Sequence, residues 1–219
     1  KTDISYLLLQ LDMKKARRSL RQMRFTIPIL RNENMTDQQY YLCLFAPSKG
    51  SRLPEHAVPV APAHPIADLY AESFNPVLSA GEYRREAYYD RTAPVPPDVL
   101  VHQNALTEAD GLAFIFPLFW TDVPALLKGW FDRVWTFGYA YGAQNLPGHM
   151  GRPSMKTLQR ALFLCSAGNP QSVLEEGGKL SALRALWLDD RIYDRALSKD
   201  LIIFDQTSRE NPNRQTLLE

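Results

Sequence analysis

Residues 111–141, GLAFIFPLFWTDVPALLKGWFDRVWTFGYAY, constrain the fold of this chain more than any other segment. The apolar run from Leu112 to Phe116 is typical of a buried parallel strand. Pro124 suits the first turn of a helix, because its missing N–H needs no partner there. The segment therefore predicts a strand, a loop and a helix, with the loop at the carboxyl end of the strand. Open α/β sheets bind their ligands at that end.

Aromatic residues are concentrated in this segment, which holds three of the four tryptophans of the chain. We expect those on the strand and helix faces to form core, because such faces must be apolar: Phe114, Phe116, Trp130 and Phe131, together with Val134. We reserve a functional role for Phe119, Trp120, Tyr139 and Tyr141. Rings at a loop indicate a flat aromatic ligand.

The order of residues across this loop and helix follows a longer motif, P-L-x-W-x-x-x-P-A-x-L-K-G-W-x-D-R-V and then Y-x-Y. The matching positions are Pro117, Leu118, Trp120, Pro124, Ala125, Leu127, Lys128, Gly129, Trp130, Asp132, Arg133, Val134, Tyr139 and Tyr141. With this motif the chain resembles the flavodoxin-like NAD(P)H:quinone oxidoreductases. A second block, DLYAESFNPVLS at residues 68–79, is similar as well. The resemblance covers residues 66–142 well and 160–205 loosely.

The resemblance implies a three-layer α/β fold, with a parallel sheet in the order 2-1-3-4-5 and helices on both faces. We expect one flavodoxin-like domain over residues 35–219, truncated at its C-terminus. Strands are predicted at residues 40–46, 112–116 and 201–204, and in the run that begins at Arg160. Helices are predicted at 97–109 and 181–188. A polar turn is expected from Arg209 onward.

Residues 1–34 form an N-terminal extension outside the match. The chain begins at Lys1, and Met35 has the position of a natural start before the first strand. Apolar residues at helical spacing and basic residues off that stripe fit a basic amphipathic helix for a membrane surface or a partner. They also fit a solvated or docked extra helix, or upstream sequence without a role.

The segment after the first strand departs from the family. Family members hold the flavin phosphate there with backbone N–H groups and hydroxyls at a helix N-terminus. This chain has Ser48, Lys49 and Ser51, and then four prolines within residues 52–67. Prolines at that spacing forbid a regular helix or a central strand. We therefore expect the first helix and the edge second strand to be lost or replaced, either as a real replacement or through a local frameshift or splice error.

The resemblance also assigns the remaining site residues. It implies FAD or FMN as cofactor and NAD(P)H as co-substrate. The implied flavin-binding residues are Pro117, Leu118, Phe119, Trp120, Ser166 and Gly168, with Ser48 and Ser51 at the phosphate. Tyr139 and Tyr141 would bind substrate in a neighbouring subunit's site, which implies a homodimer. No side chain is expected to act as a nucleophile.

Other titratable residues do not suggest catalysis or a metal site. His56, His64 and His102 lack metal-ligand spacing, and His149 fits a solvated loop. Cys43 and Cys165 lie in apolar runs and are expected in the core, which suits a reducing, cytoplasmic compartment. Lys128, Asp132 and Arg133 are expected to form surface ion pairs. Residues 189–191 are expected at a solvated helix end.

Composition is consistent with an enzyme and excludes two classes. A net charge of +1 gives no field to attract nucleic acid, and no apolar run approaches the length of a membrane span. The predicted function is two-electron hydride transfer from NAD(P)H through a flavin to a quinone. The alternative is a flavodoxin-fold regulatory or scaffold subunit, of the type found beside potassium-efflux systems, with weak or no flavin.

Overall fold

A computed structural model describes residues 41–45, 66–142 and 153–207 of the chain. Five parallel strands form one open sheet in the order β2-β1-β3-β4-β5. The strands are β1 (Tyr41–Phe45), β2 (Ile66–Asp68), β3 (Gly111–Pro117), β4 (Leu158–Ser166) and β5 (Ala196–Phe204). The helices are α1 (Ala80–Ala87), α2 (Pro97–Glu108), α3 (Ala125–Val134), α4 (Gln171–Glu176) and α5 (Lys179–Arg184), followed directly by a π-helix (Ala185–Ile192).

This strand order is the one predicted, but the expected loss of the second strand is wrong. β2 is present as a three-residue edge strand whose register pairs Cys43 with Ile66 and Phe45 with Asp68. It begins immediately after Pro65, where the proline series ends and backbone N–H groups are again available. The expected loss of the first helix concerns residues 46–65, which lie outside the described residues and include Ser48 and Ser51; residues 1–34 lie outside them as well.

The core lies between β3, β4 and the helices that cover them. The Phe114 and Phe163 rings stack with centroids 4.5 Å apart. All five apolar residues expected in the core from β3 and α3 are buried, as is Cys165. Burial raises the pKa of the Cys165 thiol to about 12, so this cysteine is a packing residue at neutral pH.

Helix α3 approaches the loop after β2 at Gly129. A Cβ added to Gly129 would lie 2.3 Å from both Cβ and the carbonyl oxygen of Pro76. Glycine costs a helix interior about 0.5–1 kcal/mol relative to alanine. Because Gly129 has no side chain, the backbone of α3 can contact the backbone of Pro76 in the loop after β2.

The ion pairs predicted on α3 are confirmed for one pair only. Lys128 and Asp132 form a half-exposed pair with an Nζ–Oδ1 distance of 2.5 Å. Arg133 is buried rather than at the surface, because it points toward α1 and α2 and bonds Glu82 and Asp98 there. No helix among the described residues is both long and apolar enough to cross a bilayer.

Candidate functional site

The carboxyl ends of β3, β4 and β5 are joined into one edge by backbone hydrogen bonds. The Leu118 N–H donates to the Ser166 oxygen at 2.8 Å, and the Ala167 N–H donates to the Phe204 oxygen at 2.8 Å. The Thr207 N–H returns to the Ala167 oxygen at 3.0 Å. Two of the predicted site residues, Leu118 and Ser166, are thereby brought into contact. Pro117 also lies beside Ser166 in the register of β3 and β4.

A tight turn at residues 119–122, which we call the Trp120 turn, projects from this edge. Phe119 and Asp122 exchange both backbone hydrogen bonds at 2.9 Å. The two central residues have positive φ, 48° at Trp120 and 59° at Thr121. Two residues of positive φ between two hydrogen-bonded residues define a type I′ turn, whose central positions normally carry Asn or Gly. A bulky and a β-branched residue there are strained, at roughly 1–2 kcal/mol each.

The Trp120 turn presents its aromatic rings to the outside. The Trp120 side chain is 96% exposed and that of Phe119 is 63% exposed. Burial of an aromatic side chain is strongly favourable, so large exposed rings on a strained turn are costly to keep. Strain of this kind is typical of functional sites. The predicted ligand-facing residues Phe119 and Trp120 are therefore available to stack on a flat molecule.

Asp122 ties the turn to the π-helix, a contact that the sequence analysis missed. Its Oδ1 accepts from Trp187 Nε1 at 3.0 Å, from Arg191 Nη1 at 3.2 Å and from the Val123 N–H at 2.7 Å. Burial alone raises the pKa of Asp122, but the hydrogen bonds from Arg191, Trp187 and Val123 outweigh it and bring the pKa below its ordinary value. The group is therefore a fixed carboxylate at neutral pH.

The expectation that residues 189–191 lie at a solvated helix end is wrong for Arg191, which is buried. The π-helix places Trp187 and Arg191 on the same side, toward Asp122. Trp187 is fully buried and stacks on Phe163 with centroids 5.6 Å apart. The four-residue spacing of Trp187 and Arg191 was the available sequence signal, but nothing local indicated their partner on another element.

The loop after β4 divides its predicted residues between core and surface. Ser166 is buried, whereas Gly168 is exposed at the edge. The loop is held from the β5 side, because Asp205 Oδ2 accepts the N–H of Gln171 at 2.7 Å. Of Ser166 and Gly168, only Gly168 is exposed to a ligand that approaches this edge.

Tyr139 and Tyr141 use their hydroxyl groups within the chain. Tyr139 donates to the carbonyl of Gln103 at 2.8 Å, and Tyr141 donates to Glu86 Oε2 at 2.5 Å. Burial and the Glu86 carboxylate raise the pKa of Tyr141, so it stays protonated. Within the described residues, no hydrogen bond or ring contact connects either tyrosine to the Trp120 turn. Contacts from this pair to a ligand would come from the rings rather than from the hydroxyls.

His102 lies in the packing between α2, α3 and the loop after β2. Its ring meets Phe74 edge-on at 5.1 Å and Trp130 at 6.1 Å. Burial lowers the pKa of His102 and raises that of Glu72, its neighbour at 3.6 Å, so the contact is not a strong ion pair at neutral pH. Among the described residues, no group of His, Cys, Asp and Glu could hold a metal ion.

The chain matches the model of the flavodoxin-like fold family (Flavodoxin_2) over residues 47–191. It is 40% identical over 89 residues to guinea pig (Cavia porcellus) NAD(P)H dehydrogenase [quinone] 1, which covers 35% of this chain and 32% of that protein. It is 32% identical over 127 residues to mouse (Mus musculus) ribosyldihydronicotinamide dehydrogenase [quinone], covering 51% and 53%. The chain thus spans about a third to a half of the length of these curated relatives.

A solved structure extends the match to most of the chain. The NAD(P)H:quinone oxidoreductase from Methanothermobacter marburgensis superposes with a TM-score of 0.68 and 33% identity, covering 83% of this chain and 91% of that one. These matches confirm both the resemblance and the predicted fold. The chain belongs to the flavodoxin-like fold family, beside its NAD(P)H:quinone oxidoreductases.

Proposed function

We propose that this chain is a flavin-dependent NAD(P)H:quinone oxidoreductase. The observation that carries the proposal is the Trp120 turn, which holds Trp120 and Phe119 outward at the carboxyl edge of a parallel sheet. This is the edge at which such folds bind ligands. The names of the relatives support an enzyme over the regulatory or scaffold alternative.

The described part of the edge fits the ring of a flavin. Two exposed aromatic side chains offer stacking surface, and the exposed Gly168 allows close approach of a backbone. The residues proposed to contact the ring are Pro117, Leu118, Phe119, Trp120, Ser166 and Gly168. Ser48 and Ser51, proposed for the phosphate of FAD or FMN, lie outside the described residues.

A bound flavin would supply the redox chemistry, taking a hydride from NAD(P)H and passing two electrons to a quinone. The balanced reaction converts NAD(P)H, a proton and a quinone into NAD(P)⁺ and a hydroquinone. The side chains of this chain orient the reactants by stacking and keep water from the ring face. The Cys165 thiol is buried and protonated, which agrees with a mechanism without a side-chain nucleophile.

The rings of Tyr139 and Tyr141 are proposed to contact substrate in a homodimer. Their hydroxyls are anchored to α2 and to Glu86 at the end of α1, which fixes the ring planes before any partner arrives. Fixed rings bind a planar quinone at a lower entropic cost than mobile ones.

The test is quinone-dependent oxidation of NAD(P)H by the flavin-loaded protein. Trp120→Ala should lower kcat/KM by roughly 5- to 150-fold, since base–aromatic stacking of comparable rings is worth about 1–3 kcal/mol. Leu197→Ala is the matched control, because Leu197 is 71% exposed but lies at the amino end of β5, on the opposite edge. Equal activity of the two variants would count against a role of the Trp120 turn. Absence of activity in the loaded parent protein would refute the proposal.

A further inference from the structure

The Trp120 turn has a conformation that its own sequence does not favour. Two non-glycine residues with positive φ sit between Phe119 and Asp122, at Trp120 and Thr121. Strained backbone persists only where the surroundings over-determine it. The two backbone hydrogen bonds of the turn do not suffice for that, because an isolated hairpin turn is only marginally stable in water. A further constraint is therefore needed, and the side chain of Asp122 provides it.

The constraint reaches from Asp122 into the core of the domain. Besides Trp187 Nε1 and Arg191 Nη1 at its Oδ1, the carboxylate has Arg191 Nη2 3.4 Å from Oδ2. Hydrogen bonds to a charged group are about twice as strong as neutral ones. Asp122 therefore has both oxygens fixed by two side chains that come from one element.

Those two side chains are themselves held by contacts with the core. Trp187 stacks on the core ring of Phe163 at 5.6 Å and meets the Phe116 ring edge-on at 5.2 Å. The Arg191 guanidinium lies over the Phe131 ring at 5.3 Å, and the Arg191 carbonyl accepts from Trp135 Nε1 at 2.8 Å. The position of the turn is therefore set from the far side by α3, β4 and the π-helix together.

The helix type contributes to this arrangement. A π-helix is rare, and single-turn examples are frequent at functional sites. Near its end, the Leu188 carbonyl accepts two hydrogen bonds, from the Tyr193 N–H at 3.0 Å and from Lys199 Nζ at 2.9 Å. Side chains from outside the π-helix therefore hold the segment that carries Trp187 and Arg191, at the carbonyls of Leu188 and Arg191.

We propose that Asp122 is a positioning residue for the flavin, which acts by holding the Trp120 turn against Trp187 and Arg191 so that the Phe119 and Trp120 rings keep one orientation. The inference rests on the proposed function. Asp122 is not itself an acid or a base in the reaction, because its oxygens are all engaged with donors. Preorganised rings lose little entropy when a ligand stacks on them. Loss of the Asp122 contacts should therefore weaken the affinity for flavin.

The first measurement needs no flavin. Hydrogen exchange of the Phe119 and Asp122 backbone N–H groups, both bonded across the turn, is compared in the parent protein, Asp122→Ala and Asp122→Asn. We expect exchange at both positions to accelerate at least roughly tenfold in Asp122→Ala, for the loss of about 1.5–3 kcal/mol of charged hydrogen bonding. Asp132→Ala removes an exposed carboxylate on α3 and should leave these two rates unchanged.

The second measurement is a flavin titration of the same proteins, with visible circular dichroism of the bound flavin at saturation. We expect Asp122→Ala to raise Kd roughly tenfold or more and to change the visible band, and Asp132→Ala to do neither. Asp122→Asn should have an intermediate Kd. Its amide oxygen can still accept hydrogen bonds from Trp187 and Val123, but the negative charge that faces Arg191 is removed. Trp187→Phe keeps the ring that stacks on Phe163 and removes one hydrogen-bond donor to Asp122. This variant replaces Asp122→Ala in both measurements if Asp122→Ala does not fold.

The outcomes separate this inference from the proposed function. If the parent protein binds flavin and the Asp122 variants bind it equally well with the same visible band, the inference is overturned while the function stands. Unchanged exchange at Phe119 and Asp122 also overturns it. If the parent protein binds no flavin, the proposed function fails and the inference fails with it.

Discussion

Arg133 Nε donates a hydrogen bond to Glu82 Oε1 at 2.7 Å, and both side chains are almost fully buried. The same guanidinium bonds the Asn75 carbonyl at 2.7 Å and Asp98 at 2.6 Å. One side chain of α3 therefore holds α1, the start of α2 and the loop after β2. This junction supports the helix that follows the Trp120 turn.

Replacing Arg133 with methionine should lower the free energy of unfolding by about 3–5 kcal/mol, because Glu82 is left buried without its partner. Urea unfolding followed by circular dichroism measures the change. Lys128→Met is the matched control, since it breaks a half-exposed pair on the same helix and should cost under about 0.5 kcal/mol. Similar losses in both variants would mean that the Arg133 junction is no stronger than a surface pair.

Gly129→Ala should destabilise the protein by about 1–3 kcal/mol, because the new methyl group meets Pro76 Cβ and the Pro76 carbonyl at 2.3 Å. Gly81→Ala tests the same substitution on a helix with open space, where Ser79 Oγ at 3.9 Å is the nearest atom. That variant should gain about 0.5–1 kcal/mol. Equal effects at the two positions would contradict the close approach of α3 to Pro76.

Thr121→Asn should raise the free energy of unfolding by about 0.5–1 kcal/mol, because asparagine tolerates the positive φ of 59° better than a β-branched residue does. Thr121→Ala keeps a Cβ without the short polar side chain and should gain less. Thermal unfolding of both variants decides this. A loss of stability in Thr121→Asn would show that the Thr121 side chain makes a contact worth more than the strain.

His102 should make the protein sensitive to mild acid. Burial lowers the pKa of His102 in the folded state, with a smaller opposite effect from Asp98, so the unfolded chain binds the proton more readily. Stability should therefore fall as pH drops below the unfolded-state value of about 6.5, by at most about 1.4 kcal/mol per pH unit. His102→Gln should flatten the curve below about pH 6.5. An unchanged slope in that variant would exclude His102 as the source.

The sheet was predictable where one strand carries its own signal. The apolar run at residues 112–116 and the prolines before α2 and α3 were sufficient, because a buried strand and a helix start depend on local residues. Helix α1 was missed even though Ser79 and Glu82 form a capping box, with hydrogen bonds of 3.2 and 2.8 Å. The edge strand β2 was missed because its three residues follow a proline series.

The sequence predicted which loop carries the site, but not the conformation of that loop. The Pro117–Trp120 sequence identified the exposed rings. The type I′ turn was not predictable, because Trp and Thr disfavour it and the stabilising contact to Asp122 comes from residues 65 and 69 positions away. Long-range contacts of that kind, like the pairing of Tyr141 with Glu86, leave no periodic trace in the sequence.

The most direct test of the proposed function is the visible absorption spectrum of the purified protein, titrated with FMN and then with FAD. The proposal predicts a bound flavin with micromolar or tighter affinity, whose absorption bleaches on addition of NAD(P)H and returns on addition of a quinone. Absence of binding at high micromolar flavin, in a protein that still melts cooperatively, would contradict it.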